Sequence, residues 1–247
     1  TEIEHHSNFV PWYLQRKYNG AVLKFLKMKD DQQIDIDDLK LLITERTKVI
    51  AITHLSNTTG QTIDIKKVCD IAHEHGALVL CDAVQAVGKI EVDFAAWDVD
   101  YMALSAHKIG GPQGVGALLR KEGVPFNSLV TGGGQEKGTR AGTENVPGIV
   151  GYGVAAEIVK DTWQTNAKRV AGFRDDLERQ VLELSPGSEI FSVKAPRLPN
   201  TSNFSLPEVR SDTQVINLDL ADWSSQSIQL FHSYHFLSSL SLSLSLS

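Results

Sequence analysis

Residues 49–82 read VIAITHLSNTTGQTIDIKKVCDIAHEHGALVLCD, and the order of their segments decides the fold. Val49-Ile50-Ala51-Ile52-Thr53 is a β-branched run without polar alternation, the pattern of a strand buried on both faces. Asp64 then offers a cap to a helix whose Ile65, Val68, Ile71 and Ala72 share one face. Gly76 ends that helix, and Ala77 to Cys81 is a second fully apolar run. Strand, helix and strand in this order predict two parallel neighbours joined by a helical crossover.

The same alternation extends outward. On the N-terminal side Ser7 can cap a helix through Trp12 to Tyr18, Gly20 supplies a left-handed stop, and Ala21 to Met28 reads as a strand. Asp35 can cap a second helix in which Ile36, Leu39, Leu42 and Ile43 recur at helical spacing. Beyond Cys81, Tyr101 to Leu104 and Val115 to Leu119 add two short strands. The expected architecture is therefore α/β, a mainly parallel sheet covered by helices. Val150 to about Leu184 reads as helix, with Val154, Ile158, Phe173 and Leu177 as candidate core residues. Pro196 to Pro199 reads as a loop, and Asn203-Phe204-Ser205 as the start of another strand. These shifts place a large domain at residues 1–155, the start of a smaller one at 156–220, and a low-complexity tail of alternating Ser and Leu within 221–247.

Composition narrows the function classes. The chain has 247 residues, 42% hydrophobic and 22% charged, which fits a folded globular protein and excludes disordered or collagen-like classes. Its net charge of −6, with no basic stripe, speaks against nucleic acid as a partner. No apolar stretch approaches the ~18–20 residues needed to cross a bilayer, so no membrane partner is expected. Two cysteines, Cys69 and Cys81, cannot build a disulfide framework, and no secretory signal is evident. A cytoplasmic or organelle-matrix protein, not a secreted one, is the expectation.

In parallel sheets ligands sit beyond the C-terminal ends of the strands, which directs attention to Thr53–Asn57, Asp82–Gln85 and Ser105–Lys108. Lys108 comes after an apolar strand and precedes Gly110-Gly111-Pro112. An isolated lysine is ordinarily a solvated charge, but a partly desolvated one at a ligand-binding edge can attack an aldehyde and form a Schiff base. Ser105 and His107 beside it can donate to a phosphate. Asp82 ends its strand, where a carboxylate is ordinarily a cap or a solvated end; beside such a lysine it can hold a protonated pyridine nitrogen. Gln85, and Asn57 from the neighbouring loop, can hydrogen-bond a phenolic oxygen.

Taken in order, His5-His6-Ser7-Asn8, Thr53-His54-Leu55-Ser56-Asn57, Asp82-Ala83-Val84-Gln85, Ser105-Ala106-His107-Lys108, Gly132-Gly133-Gly134-Gln135-Glu136 and Arg140-Ala141-Gly142-Thr143-Glu144-Asn145 resemble the cysteine desulfurases, pyridoxal-phosphate enzymes of the class V aminotransferase group. The resemblance runs over roughly Thr1 to Leu220. It implies the large domain of a fold-type I pyridoxal-phosphate transferase, truncated at both ends, with pyridoxal 5'-phosphate as cofactor and no metal. It further implies that Lys108 is the Schiff-base and proton-moving lysine and that Asp82 holds the ring nitrogen. Gln85 and Asn57 would hold the phenolic oxygen, and Ser105 and His107 the phosphate. His5, rather than His6, would stack on the ring and act catalytically with Lys108. Thr143 would reach the phosphate of a partner subunit, which implies a homodimer. The implied reaction takes sulfur from L-cysteine, leaves L-alanine, and hands the sulfur through an enzyme cysteine to an acceptor protein serving iron–sulfur cluster assembly.

The sequence departs from that pattern at three points: the nucleophilic cysteine, the arginine expected further on to hold the substrate carboxylate, and the N-terminal Gly/Ser/Thr phosphate-binding turn have no counterpart. After Leu218-Asp219-Leu220-Ala221 the chain reads Asp222-Trp223-Ser224-Ser225-Gln226, and there is no cysteine beyond Cys81. Cys69 and Cys81 fall on a helix and within a strand, where a small buried residue is expected rather than a nucleophile. The expectation is therefore a desulfurase fragment that lacks the catalytic cysteine and ends in an aberrant tail, of the kind a shifted reading frame produces. Two alternatives stand beside it: a selenocysteine lyase or other class V member, and a non-catalytic remnant that binds cofactor or a partner. Two further readings fail on spacing. Gly132-x-Gly134 has its next glycine at Gly138, too late for a dinucleotide fingerprint, and Cys69 with His73 has no second pair to complete a zinc site.

Overall fold

A computed structural model describes residues 1–210, residues 213, 214, 217 and 220, and the strands Ile228–Phe231 and Ser239–Ser243. The decisive stretch folds as its pattern predicts. β1 (Val49–Thr53), α3 (Ile65–Glu74) and β2 (Leu78–Asp82) form a parallel unit in which Val49 pairs with Leu78 and Thr53 with Asp82. Asp64 caps α3 by accepting from Lys67 N at 3.0 Å, and α3 buries Ile65, Val68, Cys69, Ile71 and Ala72. β3 (Tyr101–Ser105) continues the parallel sheet beside β2, and β4 (Gly116–Arg120) adds an antiparallel edge, so the order is β1-β2-β3-β4. Ile52, Val68, Val79, Cys81 and Met102 are at the centre of the core.

The flanking elements depart from expectation in instructive ways. α1 (His6–Asn19) begins one residue before Ser7, and its cap is His5, whose Nδ1 accepts from Ser7 N at 3.2 Å. Residues 21–28 are not a strand. Only Met28 makes a bridge, to Ile34, and Leu26 alone of this stretch is buried in the core. The apolar content is legible there, but no strand among the described residues offers these residues a ladder. Asp35 does cap the next segment, accepting from Asp37 N at 3.0 Å, yet the helix is a 3-10 turn, Ile36–Asp38, continued by the single turn α2 (Leu39–Leu42).

α4 (Val146–Leu184) is 39 residues long and starts four residues earlier than its periodicity indicates. Asn145 provides its cap, accepting from Gly148 N at 3.2 Å, and Pro147 occupies the first turn. The boundary drawn between residues 155 and 156 falls inside this continuous helix. Val154, Ile158 and Phe173, expected in the core, are exposed, while Leu177 packs on a small second cluster around Ile190 and Phe204. That cluster belongs to a second sheet of β5 (Glu189–Ile190), β6 (Thr201–Ser205), β7 (Ile228–Phe231) and β8 (Ser239–Ser243), in the order β5-β6-β8-β7. The Ser/Leu segment at the C-terminus thus contributes β8, paired antiparallel to β6; the rest of residues 221–247, β7 apart, lies outside the described residues.

Candidate functional site

Three neighbouring parallel strands end in one row, and the segments leaving their C-terminal ends meet in one cavity. Register puts Thr53 beside Asp82 and Asp82 beside Ala103. Beyond that row lies a cavity of about 300 Å³ lined by His5, Ser7, Thr53, Leu55, Asn57, Asp82, Val84, Gln85, Ser105, His107 and Lys108. Seven of the eight residues singled out from sequence therefore open on one space, of a size at the lower end for small-ligand sites. Thr143 is the exception: it is exposed on the loop before α4 and does not line the cavity.

Local structure explains each placement. Lys108 and His107 sit on a 3-10 turn, Ala106–Ile109, directly after β3, and Gly110 ends that turn at φ +81°, a left-handed conformation that a side chain would resist. Ala106 N donates to Val115 O at 3.0 Å, tying the turn to the start of β4. α4 packs close behind it: a Cβ on Gly151 would lie 2.6 Å from Pro112 Cγ. Ser105 Oγ and His107 Nδ1 are 2.8 Å apart. Burial, and then the charges of Lys108 and Lys89, lower the His107 pKa, which favours the neutral ring.

Asp82 stands at the end of β2, where Val84 N donates to its Oδ1 at 3.1 Å. No cation pairs with this carboxylate among the described residues, and burial raises its pKa, with Glu4 adding to the effect and His5 opposing it. A desolvated carboxylate facing a cavity is suited to a cationic ligand atom. His5 Nδ1 accepts from Ser7 N at 3.2 Å and lies 2.8 Å from Ser7 Oγ, and these contacts orient the ring beside the cavity. An amine at Lys108, a carboxylate at Asp82 and hydroxyl, imidazole and amide groups between them form a donor set that fits a phosphorylated pyridine aldehyde.

Two contributors escape a reading of the sequence. Glu4, its side chain 5% exposed, accepts from Thr53 N at 3.0 Å and from Asn8 Nδ2 at 2.7 Å, and so fastens the start of α1, with His5, to the end of β1. Lys89 donates from Nζ to Gln85 Oε1 at 2.7 Å. An isolated Glu or Lys carries no spacing signal, and only the fold brings either into contact with residues that line the cavity. Cys69 is fully buried, His73 Nε2 is 2.9 Å from Asp100 Oδ2, and no group of side chains that could hold a metal ion stands among the described residues.

Comparison with known proteins settles the lineage. Residues 1–222 match the family described as Aminotransferase class-V. The chain belongs to that family. It is similar to a cysteine desulfurase of Sinorhizobium fredii, 39% identical over 193 residues, which cover 78% of the chain and 50% of the relative. It is also similar to the cysteine desulfurase IscS of Clostridium botulinum, 33% identical over 89% of the chain and 56% of the relative. Among solved structures, a NifS-like protein superposes with a TM-score of 0.89 at 30% identity, over 99% of the chain and 68% of that protein. A NifS-like protein from Rickettsia africae gives 0.85 at 29% identity, over 98% and 68%. The chain spans about half the length of the curated relatives it matches. The α/β architecture expected from the strand pattern is that of these relatives, and the family match ends at residue 222, where the composition changes. No helix among the described residues is long and apolar enough to cross a membrane.

Proposed function

We propose that the chain is the cofactor-binding part of a cysteine desulfurase, which releases L-alanine from L-cysteine and passes the sulfur to an acceptor protein for iron–sulfur cluster assembly. The observation that carries this reading is that Lys108 and Asp82, 26 positions apart, open on the same cavity. When bound, pyridoxal phosphate supplies an electron sink that stabilises a carbanion at the substrate's Cα. The chain's own groups do the rest. Lys108 Nζ holds the cofactor and afterwards moves a proton at the substrate carbon. Asp82 keeps the ring nitrogen charged, Gln85 and Asn57 hold the phenolic oxygen, and Ser105 and His107 bind the phosphate. His5 covers the ring. Thr143, exposed and away from this cavity, is available to a second copy, in keeping with a homodimer. Residues 1–155 carry all of these groups, and 156–220 begin a smaller domain.

Sulfur transfer needs a thiolate, and neither cysteine here provides one. Burial pushes the Cys69 thiol up to about 12 and the Cys81 thiol well above its ordinary value. The nucleophile of the proposed reaction is therefore neither of them. Two free, buried thiols also fit a reducing compartment, the cytoplasm or an organelle matrix.

The test mixes the purified chain with pyridoxal phosphate. A visible absorption band is expected, and it is expected to disappear in Lys108→Ala while the circular dichroism spectrum is unchanged. A band that persists in Lys108→Ala overturns the assignment. Release of alanine from selenocysteine but not from cysteine would favour the lyase reading instead.

A further inference from the structure

We infer that Lys89 is a positioning residue: its ammonium fixes the Gln85 carboxamide with the oxygen turned away from the ligand, which makes Gln85 an obligatory hydrogen-bond donor to the cavity. The inference rests on the proposed cofactor site and adds to it a residue that touches the ligand only through another side chain.

The geometry is specific. Lys89 Nζ lies 2.7 Å from Gln85 Oε1, four residues further along the chain. An amide's oxygen and nitrogen are hard to tell apart by shape, but chemistry decides here. An ammonium has three donors and no acceptor, so only the amide oxygen can face it. The NH2 group is then left for the cavity that Gln85 lines. A free amide can turn either end to a ligand; this one cannot without burying an ammonium against its own donors.

The backbone holds the pair in place. After β2 the chain turns tightly, with Ala86 N donating to Ala83 O at 2.9 Å and both Lys89 N and Ile90 N donating to Ala86 O at 3.1 Å. Gly88 takes φ +77° in this turn, and a Cβ there would lie 2.5 Å from Val159 Cγ1 of α4. The turn is thus pressed against the long helix, and Lys89 is directed back over Gln85. Lys89 has no carboxylate partner among the described residues, so Gln85 Oε1 is the acceptor that compensates its charge. Burial, and then the nearby charge of Lys108, lower the Lys89 amine to about 8. Below about pH 8 the group is therefore an ammonium, desolvated and beside a second cation.

The test is a double-mutant cycle on cofactor affinity, read by absorbance titration of the 247-residue chain with pyridoxal phosphate. Lys89→Met and Gln85→Ala are each expected to weaken binding about tenfold, the scale of one lost buried hydrogen bond. The double variant should be no weaker than the worse single one by more than about twofold, because both changes remove the same contact. Lys89→Arg, which keeps a cationic donor, should restore affinity to within about threefold of the unmodified chain. Effects that multiply, or an unchanged Lys89→Met, overturn the assignment. Should Lys89→Met not fold, Lys89→Gln replaces it in the cycle; its amide can face Gln85 by either end, so the same loss is expected. A chain that gives no band at all sinks the cofactor reading and this inference together. A band with multiplying effects sinks this inference alone.

Discussion

At the scale of single residues, burial pushes two neighbouring groups toward their neutral forms, with opposite consequences for stability against pH. His54 N donates to Asp82 O at 2.9 Å, and its ring, tilted against Trp97 at 4.8 Å between centroids, has Nδ1 2.9 Å from Ile63 O. Burial lowers its pKa from 6.5 to about 4. The unfolded chain therefore binds a proton between these values that the folded chain refuses, so His54 removes stability as pH falls from 6.5 toward 4, by up to about 3 kcal/mol. Asp82 works the other way, because its raised pKa means the folded state binds a proton more readily than the unfolded one and gains stability on acidification. His54→Phe keeps a ring against Trp97 but cannot titrate. Urea unfolding at about pH 7.5 and about pH 5, on either side of the unperturbed histidine value, should give a smaller drop for the variant than for the unmodified chain. Equal drops would show that His54 is not the group responsible. At this scale the sequence is informative about residues with a motif around them, Lys108 and Asp82, and silent about Glu4 and Lys89. Their roles come from distances across the fold, not from neighbours in the chain.

At the scale of elements, the strands and α3 are legible because a fully apolar run closed by a turn residue has few other uses. Residues 21–28 and the start of α4 are not, because hydrophobic content says that a face is covered without saying by what. Val146, Val150, Val154 and Ile158 recur every four residues on α4, the spacing of a core stripe, yet each is more than half exposed. Gly148 and Gly151, between them in sequence, are the positions where α4 approaches Val115 and Pro112 beside the Lys108 turn. Further along α4 a buried ion pair fastens the helix to the segment that leads into β6. Arg197 Nη1 and Nη2 lie 2.7 and 2.9 Å from the two oxygens of Glu178, and Ser202 Oγ donates to Oε1 at 2.7 Å. Both side chains are almost fully buried, at 9% and 11% exposure. Removing one partner strands the other charge away from water, so Glu178→Ala should cost about 3–5 kcal/mol, measured by chemical denaturation. Replacing both residues by apolar ones of similar volume should cost less than the single change. A loss below about 1 kcal/mol for Glu178→Ala would mean that water reaches Arg197 and that the pair is not a clamp.

At the scale of the whole molecule, the exposed stripe of α4 is accompanied by exposed Val130 and by Leu129, the latter 96% exposed, in the segment that leads toward Thr143. An apolar stripe left exposed along a long helix is the kind of surface that marks an interaction site. The net charge of −6 gives only modest repulsion between copies, insufficient to oppose association of such a face. The chain should therefore self-associate, with a mass that rises with concentration in light scattering coupled to size-exclusion chromatography. Val150→Lys with Val154→Lys places two like charges in the middle of the stripe, at positions that do not line the cavity. It should shift the chain toward monomer and leave the pyridoxal-phosphate band in place. Two other results would count against this view of the surface. A chain that is monomeric at every concentration and melts in one cooperative step has no need of a cover over α4. A double variant that associates as strongly as its parent places the sticky surface elsewhere, with the apolar groove between α1 and β1, lined by Phe9, Trp12, Leu23 and Ile50, as the next region to charge.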